Sequence, residues 1–252
     1  ISKRDGTEQI AGQTAQEANQ GIHRSTYTNI INTVLSESIQ DYLKTIYELR
    51  GENARATTNG LATRLDVEAA SVTGMLKKLA EMKLVDYIPY QGAQLTAAGE
   101  RIALEVIRHH RLLELYLSEA LGYSWDQVHA EADKLEHAIS EEFEDRIAQL
   151  LGNPTTDPHG DPIPTKSGEV APISHNSLLH STVGQTVSVQ RVRDEDPAVL
   201  RRAAELGLWP RTVLHVTQIA GNGHVHVALT DGSTRIVDPA VAGSIFVHTA
   251  EN

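Results

Sequence analysis

The stretch LVDYIPYQGAQL, residues 84–95, decides the fold of the first half of the chain. Its first five residues have the β-branched and aromatic composition of a strand, Pro89 to Gly92 form a turn, and a short return strand follows. Thr96 then provides a good N-cap for a helix. We therefore predict a small β-hairpin in front of a long helix.

Three helical segments precede this hairpin. Apolar residues recur every three or four positions over residues 38–50, 58–65 and 71–82, and Gly51 ends the first segment. Three helices followed by a β-hairpin are typical of a winged helix-turn-helix domain. We place this domain at residues 37–100.

The helical pattern continues after the hairpin. It runs over residues 98–121, is interrupted by Gly122, and resumes as one long helix that ends near residue 151. We assign residues 101–152 to a second, helical domain. Residues 153–180 contain five prolines among Gly, Ser, Thr and Asp, which indicates an interdomain linker or a long loop.

The hydrophobic period changes to two after the linker. Alternating Val, Ile and Leu predict strands around a single helix at residues 197–206, and residues 181–252 are predicted to form a small SH3-like β-barrel. The chain is therefore expected to be mainly α with a β-rich C-terminal domain. Residues 1–36 are polar and are predicted to be a mobile extension with a short helix at residues 28–35.

Composition excludes several classes of protein. The chain has no cysteine, which excludes disulfides, thiolate metal sites and cysteine nucleophiles. No apolar run approaches the length of a membrane span, so we expect a cytoplasmic protein without membrane contact.

The net charge of −11 argues at first sight against nucleic acid, but the charge is uneven. Residues 101–152 hold 11 acidic and 5 basic side chains, whereas residues 37–100 hold 9 and 7. The acidic cluster is consistent with a cation site or with a solvated helix surface.

The third helix of the winged domain is the predicted DNA reader. In a helix-turn-helix this element lies in the major groove, and its N-terminal residues face the base edges. We expect Ser71, Thr73 and Gly74 to face the bases, and Lys77 and Lys78 to meet phosphate. A winged helix that serves as a protein–protein module is the alternative.

A stripe of potential metal ligands follows Gly122. Offsets of 0, 4, 7 and 8 place four side chains on one helical face, namely His129, Asp133, Glu136 and His137. His110 and Glu114 form a second pair on the preceding helix. Carboxylate and imidazole donors without sulfur suit Mn²⁺ or Fe²⁺, while Zn²⁺, Cd²⁺ or Co²⁺ can occupy such sites in vitro. A merely solvated polar stripe is the alternative.

Three of these segments resemble the diphtheria toxin repressor family of iron- and manganese-dependent transcriptional regulators. They are DYLKTIYEL at residues 41–49, RHHRLLE at 108–114 and VHAEADKLEH at 128–137, of which the last is the most specific. Residues 194–197 and 205–208 resemble the SH3-like, FeoA-type domain of the same family.

The resemblance implies two metal sites. The primary, switching site would use Asp41, Asp133, Glu136 and His137. The ancillary site would use His110, Glu114 and His129, completed by Asp196, while Val199 stands where a second polar ligand is expected.

The resemblance also bears on which metal is bound. Iron-type members carry sulfur-bearing residues at the positions of Asp41 and Asp133, so the carboxylates favour Mn²⁺, with Fe²⁺ as the alternative. Lys44 replaces a glutamate that manganese-type members often have, so a closely spaced two-metal cluster is not expected.

The predicted function is that of a Mn²⁺-activated repressor of metal-uptake genes. It would bind palindromic double-stranded operator DNA as a homodimer, with the helices of residues 101–151 at the dimer interface. A Fe²⁺-dependent repressor of iron homeostasis is the alternative. A metal-dependent hydrolase is a further one, but no separate general base or substrate cleft is evident, so we do not expect an enzyme.

Overall fold

The computed structural model describes residues 35–50 and 55–250 of the 252-residue chain. The chain divides into two compact units. Of the described residues, one unit contains 35–50, 55–103 and 137–145, and the other contains 104–136 and 146–250. Residues 1–34, which hold nearly all of the N-terminal extension and all but the last residue of the helix predicted over 28–35, lie outside the described residues.

The first unit is a winged helix-turn-helix, as predicted. Its elements are α1 (Glu37–Glu48), α2 (Thr58–Arg64), α3 (Ala69–Glu81), β1 (Val85–Ile88) and β2 (Gly92–Leu95). The two strands pair antiparallel, with Val85 opposite Leu95 and Ile88 opposite Gly92. Helix α4 (Ala97–Leu121) starts in this unit and continues into the second one.

An aliphatic core orients the helices of the winged unit. Leu43, Ile46, Leu61, Leu76 and Leu79 are completely buried, and each such side chain contributes roughly 1.5–3 kcal/mol of transfer free energy. Because α1, α2 and α3 all contribute to this core, the position of α1 is linked to that of α3.

The hairpin is held to the chain segment before α2. Ala56 and Ala93 exchange two backbone hydrogen bonds of 2.8 and 2.9 Å. Gly92 adopts a φ of +98°, and a Cβ atom there would lie 2.2 Å from the carbonyl oxygen of Ala56. Glycine is therefore required at the start of β2 by both conformation and space.

The long helix predicted up to residue 151 is in fact two helices, α5 (Val128–Leu135) and α6 (Glu141–Leu150). The Ser140 hydroxyl accepts a 3.3 Å hydrogen bond from the Phe143 backbone N–H, and acidic residues occupy the first turn of α6. Both features stabilise a new helix N-terminus, which the continuous 3–4 spacing concealed. In the described part of the chain, no helix is long and apolar enough to cross a membrane.

The C-terminal part of the second unit contains a five-stranded antiparallel sheet. Its elements follow a 3₁₀ turn at Leu178–His180 and are β3 (Thr186–Val192), α7 (Pro197–Glu205), β4 (Val213–Ile219), β5 (Val225–Leu229), β6 (Thr234–Val237), α8 (Pro239–Ser244) and β7 (Ile245–Thr249). The strand order in the sheet is β6-β5-β4-β3-β7. Four strands and α7 match the predicted pattern. Strand β6 and helix α8 are short and were not predicted.

The proline-rich segment predicted as a linker or long loop is packed over part of its length. Residues 159–164 are buried, and the Asp157 N–H donates a 2.9 Å hydrogen bond to the Asp161 carbonyl. Arg108 on α4 donates a 2.7 Å hydrogen bond to the carbonyl oxygen of Pro164. This loop therefore lies against α4 and brings its polar residues close to those of the helix.

Candidate metal sites and nucleic-acid interface

The second unit contains a cluster of two imidazoles and two carboxylates. His110 and Glu114 project from successive turns of α4, and the distance from His110 Nε2 to Glu114 Oε1 is 2.9 Å. The Nδ1 atom of His129 on α5 lies 3.1 Å from the same Glu114 oxygen and 3.1 Å from Asp194 Oδ2. One potential ligand atom from each of the four residues lies within 4.8 Å of the others. The structure thus brings together the three helical residues predicted for the ancillary site.

The fourth member of this cluster is Asp194, whereas Asp196 was predicted from the sequence. The carboxylate of Asp196 instead accepts a 2.8 Å hydrogen bond from the Ala198 N–H and caps the N-terminus of α7. Asp followed by Pro at the first helical position is a known helix-start signal, so the capping role of Asp196 could have been predicted from the sequence. Val199 is partly buried against the core of the sheet domain.

A second group of potential ligands shares Glu114 and was not predicted from the sequence. Glu114 Oε2, Asp157 Oδ2 and His159 Nδ1 are buried and have no hydrogen-bond partner among the described residues. The ligand atoms of these residues lie within 4.8 Å of one another. Buried polar atoms without hydrogen-bond partners are costly, and the ion-pair contacts of these atoms are long, at 3.7 Å. A cation between the three atoms would give each of them a direct partner. The only sequence signal was the run of Asp, His and Asp within residues 157–161.

Protonated histidines balance the carboxylates of these groups. Burial alone would lower the pKa of His129, but hydrogen bonds to Asp194 and Glu114 raise it to about 10. Burial would also lower the pKa of His159, but the nearby Glu114 outweighs burial and raises it to about 9. Burial alone would raise the pKa of Glu114, yet His110, His129 and His159 hold it well below its usual value. A divalent cation that replaced these protons would leave the charge balance intact.

Arg111 compensates the carboxylates on the loop. Burial, Glu114 and Asp161 raise the pKa of Asp157 well above its usual value, and Arg111 opposes this shift. The guanidinium of Arg111 lies 3.7 Å from Asp157 Oδ2 and 3.6 Å from Asp161 Oδ1. Because Arg111 follows His110 directly on α4, this helix both carries candidate ligands and holds the loop that carries Asp157 and His159.

The predicted ligands Asp41 and His137 meet in the first unit. The Nε2 atom of His137 lies 2.9 Å from Asp41 Oδ1, and its Nδ1 atom lies 2.9 Å from the buried side chain of Gln40. Both partners are on α1, so His137 contacts the first helix of the DNA-binding unit. The contact with Gln40 was not predicted from the sequence.

The other two predicted primary ligands lie beside His110 in the second unit. Asp133 Oδ1 is 3.2 Å from His110 Nδ1, and the buried Glu136 carboxylate contacts the same nitrogen. Asp133, Glu136 and His110 form a further group with ligand atoms within 4.8 Å. His110 therefore belongs to this group as well as to the cluster at Glu114.

The predicted DNA-reading face of α3 is accessible. Ser71, Gly74, Lys77 and Lys78 are exposed and Thr73 is partly exposed, while the opposite face of the helix carries the core residues. A Cβ atom at Gly74 would contact nothing within 4 Å in the described structure. The helix therefore presents small and basic side chains on its outer face.

This chain combines a winged helix-turn-helix with buried imidazole–carboxylate clusters. These two features are typical of metal-responsive DNA-binding regulators. Family models agree with this class. The N-terminal DNA binding domain of iron dependent repressors matches residues 34–93, their metal binding and dimerisation domain matches residues 96–165, and the FeoA domain matches residues 177–249. The chain belongs to the iron-dependent repressor family of metal-dependent transcriptional regulators.

Individual relatives support this assignment. The iron-dependent repressor IdeR of Mycobacterium leprae is 32% identical over 215 residues, which cover 77% of this chain and 93% of the relative. The diphtheria toxin repressor of Corynebacterium jeikeium is 32% identical over 167 residues, which cover 65% of this chain and 70% of the relative.

Solved structures point the same way. A manganese-dependent transcriptional repressor in complex with manganese superposes with a TM-score of 0.78 at 38% identity, covering 84% of this chain and all of the other. The manganese regulator SloR superposes with a TM-score of 0.69 at 30% identity, covering 84% of this chain and 98% of the other.

Proposed function

We propose that this chain is a Mn²⁺-activated repressor of metal-uptake genes that binds palindromic operator DNA as a homodimer in the cytoplasm. The observation that carries this proposal is the set of imidazole and carboxylate groups around Glu114, three of whose buried polar atoms have no hydrogen-bond partner within the described residues. The matched family models join a metal-binding domain to a DNA-binding domain, which supports a role for such a metal site in controlling DNA binding.

The donor atoms favour manganese. The chain contains no cysteine, and each candidate group offers only carboxylate oxygen and imidazole nitrogen. Hard oxygen-rich sites suit Mn²⁺, while Fe²⁺ remains the alternative because imidazole also suits iron. Zn²⁺, Cd²⁺ and Co²⁺ are expected to compete in vitro. Two of the similar structures are named as manganese regulators, and one relative is named an iron-dependent repressor.

Asp41 and His137 are the residues through which we expect metal to act on the DNA reader. Their side chains contact each other within the unit that contains the helix-turn-helix. Leu43 and Ile46 of α1 are buried in the core that also holds α3, so fixing Asp41 restrains the reader helix. A bound divalent cation supplies positive charge and a fixed arrangement of ligands, with Asp133 and Glu136 completing the proposed set. Such coupling is typically worth about 1–3 kcal/mol.

The proposed operator contact follows from the outer face of α3. Ser71, Thr73 and Gly74 would face the base edges, while Lys77 and Lys78 would contact phosphate and make binding salt-dependent. Dimerisation through residues 101–152 would set two reader helices about one DNA turn (~34 Å) or a multiple apart. The division into an extension (1–36), a winged domain (37–100), a helical domain (101–152), a linker (153–180) and a sheet domain (181–252) is part of this proposal.

The alternatives make different predictions. A metal-dependent hydrolase would need an open coordination position beside a substrate cleft, and the matched relatives are named as repressors rather than hydrolases. A winged-helix scaffold with a solvated polar stripe would bind no Mn²⁺ at micromolar concentrations, which equilibrium dialysis measures directly.

The test compares Asp133→Ala and Glu136→Gln with the control Glu131→Ala. Glu131 lies on α5 with Asp133 but pairs with the exposed Lys134 at 2.9 Å. We expect Mn²⁺-stimulated binding of a labelled operator to be lost in the first two variants and kept in the control, with all three showing wild-type circular dichroism. Unchanged metal-dependent binding in a folded Asp133 or Glu136 variant would overturn the ligand assignment.

A further inference from the structure

We infer that Trp125 is a positioning residue for metal binding, because it holds the imidazole of His159 in place and leaves its Nδ1 atom free to face Glu114 and Asp157. This inference rests on the proposed function, since it assumes that the buried group at Glu114 binds a divalent cation. It concerns a residue outside every predicted ligand set.

Three contacts join Trp125 to the loop, two with His159 and one with Pro158. The indole ring stacks on the imidazole with centroids 5.4 Å apart and an interplanar angle of 23°. The Trp125 carbonyl oxygen lies 2.9 Å from His159 Nε2. The indole Nε1–H donates a 3.1 Å hydrogen bond to the carbonyl of Pro158, the residue directly before His159. One residue therefore fixes the plane, the tilt and the backbone of the candidate ligand.

The carbonyl contact determines which nitrogen is available to a metal. A carbonyl oxygen only accepts hydrogen bonds, so His159 Nε2 must carry a proton. The lone pair of the neutral ring is then on Nδ1, which lies 3.7 Å from Glu114 Oε2 and has no hydrogen-bond partner within the described residues. A backbone carbonyl that fixes the non-ligating nitrogen is the usual outer-shell arrangement of metal-binding histidines.

Trp125 itself is firmly held. Only 9% of the residue is exposed, and it belongs to the core of the sheet domain. Trp209 packs against it with ring centroids 4.5 Å apart, yet 43% of Trp209 is exposed. Trp209 offers a matched control, since it touches the same indole and has no ring contact or hydrogen bond to His159 among the interactions described.

The first arm of the test measures Mn²⁺ affinity in Trp125→Leu, Trp125→Phe and Trp209→Leu. Free Mn²⁺ is followed by electron paramagnetic resonance in the full chain, and thermal unfolding of the metal-free proteins reports stability. We expect Trp125→Leu to lower the Mn²⁺ affinity of the site that contains His159 by about tenfold. This is the lower end of the loss that usually follows removal of a group that holds a metal-binding histidine in place. Trp125→Phe should recover part of this loss because a ring can still stack, and Trp209→Leu should bind as wild type.

A double-mutant cycle separates positioning from general destabilisation. His159→Gln removes the ligand, so Trp125→Leu should weaken Mn²⁺ binding no further in that background. A purely structural role of Trp125 would instead give additive losses. Additive losses, or equal affinities in Trp125→Leu and Trp209→Leu, would overturn the inference while leaving the proposed function intact.

The second arm uses intrinsic fluorescence. The chain has two tryptophans, so Trp209→Phe leaves Trp125 as its only indole emitter. We expect paramagnetic Mn²⁺ to quench this emission with the same midpoint as the resonance titration, and His159→Gln to remove that phase. Stoichiometric Mn²⁺ binding without quenching would contradict the inference alone. Absence of Mn²⁺ binding to the wild-type chain would overturn both the inference and the proposed function.

Discussion

His129 Nδ1 lies 3.1 Å from Asp194 Oδ2, which joins helix α5 to the segment that follows strand β3. Hydrogen bonding to His129 outweighs burial and lowers the pKa of Asp194 to about 2, while the pKa of His129 rises to about 10. The carboxylate is therefore ionised and the imidazole protonated at neutral pH. The sheet domain thus contributes an anionic group directly to the helical cluster.

Asp194 and Asp196 provide a matched pair for a first prediction. Asp194→Asn should weaken Mn²⁺ binding at the cluster with His110, Glu114 and His129 by at least tenfold, because an ionised ligand is lost. Asp196→Asn should bind Mn²⁺ as wild type, since asparagine is also a good N-cap. Calorimetric titration of both variants checks this, and a larger loss in the Asp196 variant would show that our choice of ligand is wrong.

Metal affinity should rise with pH. His129 and His159, with pKa values of about 10 and about 9, hold protons at neutral pH that a cation must displace. Each displaced proton makes the affinity rise roughly tenfold per pH unit below these pKa values. Titrations from pH 6.5 to 8.5, in buffers of different ionisation enthalpy, measure both affinity and proton release. A pH-independent affinity without proton release would contradict this charge arrangement.

In the metal-free chain, the same two histidines make the fold less stable as pH rises, whereas metal affinity increases. The folded-state pKa values of both histidines are raised, so their stabilising contribution is complete below the unfolded pKa near 6.5 and is lost as pH rises through about 9 to 10. Mn²⁺ should therefore stabilise the fold most clearly at the alkaline end of the titration. Thermal unfolding with and without Mn²⁺ measures this difference.

Gly160 should be indispensable for the loop that carries Asp157 and His159. It adopts a φ of +92°, and a Cβ atom there would lie 2.1 Å from the Gln190 carbonyl oxygen. Gly184 has a similar φ of +87° but open space around its Cα. Gly184→Ala should cost about 1–2 kcal/mol from backbone strain alone. Gly160→Ala should cost roughly 1–3 kcal/mol more, because the loop must shift.

Denaturant unfolding of the metal-free variants measures both costs. Mn²⁺ affinity should fall in the Gly160 variant and stay unchanged in the Gly184 variant. Equal stability losses in the two variants would show that the close approach to Gln190 is not a constraint.

Much of the fold was predictable because local patterns agreed with it. The wing at residues 84–95 and the helices before it carry both the expected hydrophobic period and the expected turn residues. The break between α5 and α6 was missed since a 3–4 spacing continues across it, and only the capping role of Ser140 marks the new start. Short elements such as β6 and α8 are stabilised by packing more than by their own period.

Residue spacing alone predicted the metal groups only where ligands share a helix. The contacts of His129 with Glu114 and of Asp41 with His137 join different elements and were implied by the family resemblance. His110 and Glu114 are four residues apart, so their contact follows from helix geometry. Asp157, His159 and Asp194 come from irregular segments, and their approach to Glu114 depends on how the loop packs against α4. Composition alone predicted that segment only as an interdomain linker or a long loop.

The most direct test of metal-dependent repression is fluorescence anisotropy of a labelled palindromic promoter fragment from a metal-uptake gene. The wild-type chain is titrated onto it with Mn²⁺, with Fe²⁺ and with a chelator. Binding should appear with Mn²⁺, be weaker with Fe²⁺, and vanish when the chelator is added. Equal binding with Mn²⁺ and with chelator would contradict the account, because the DNA reader would then work without the metal clusters.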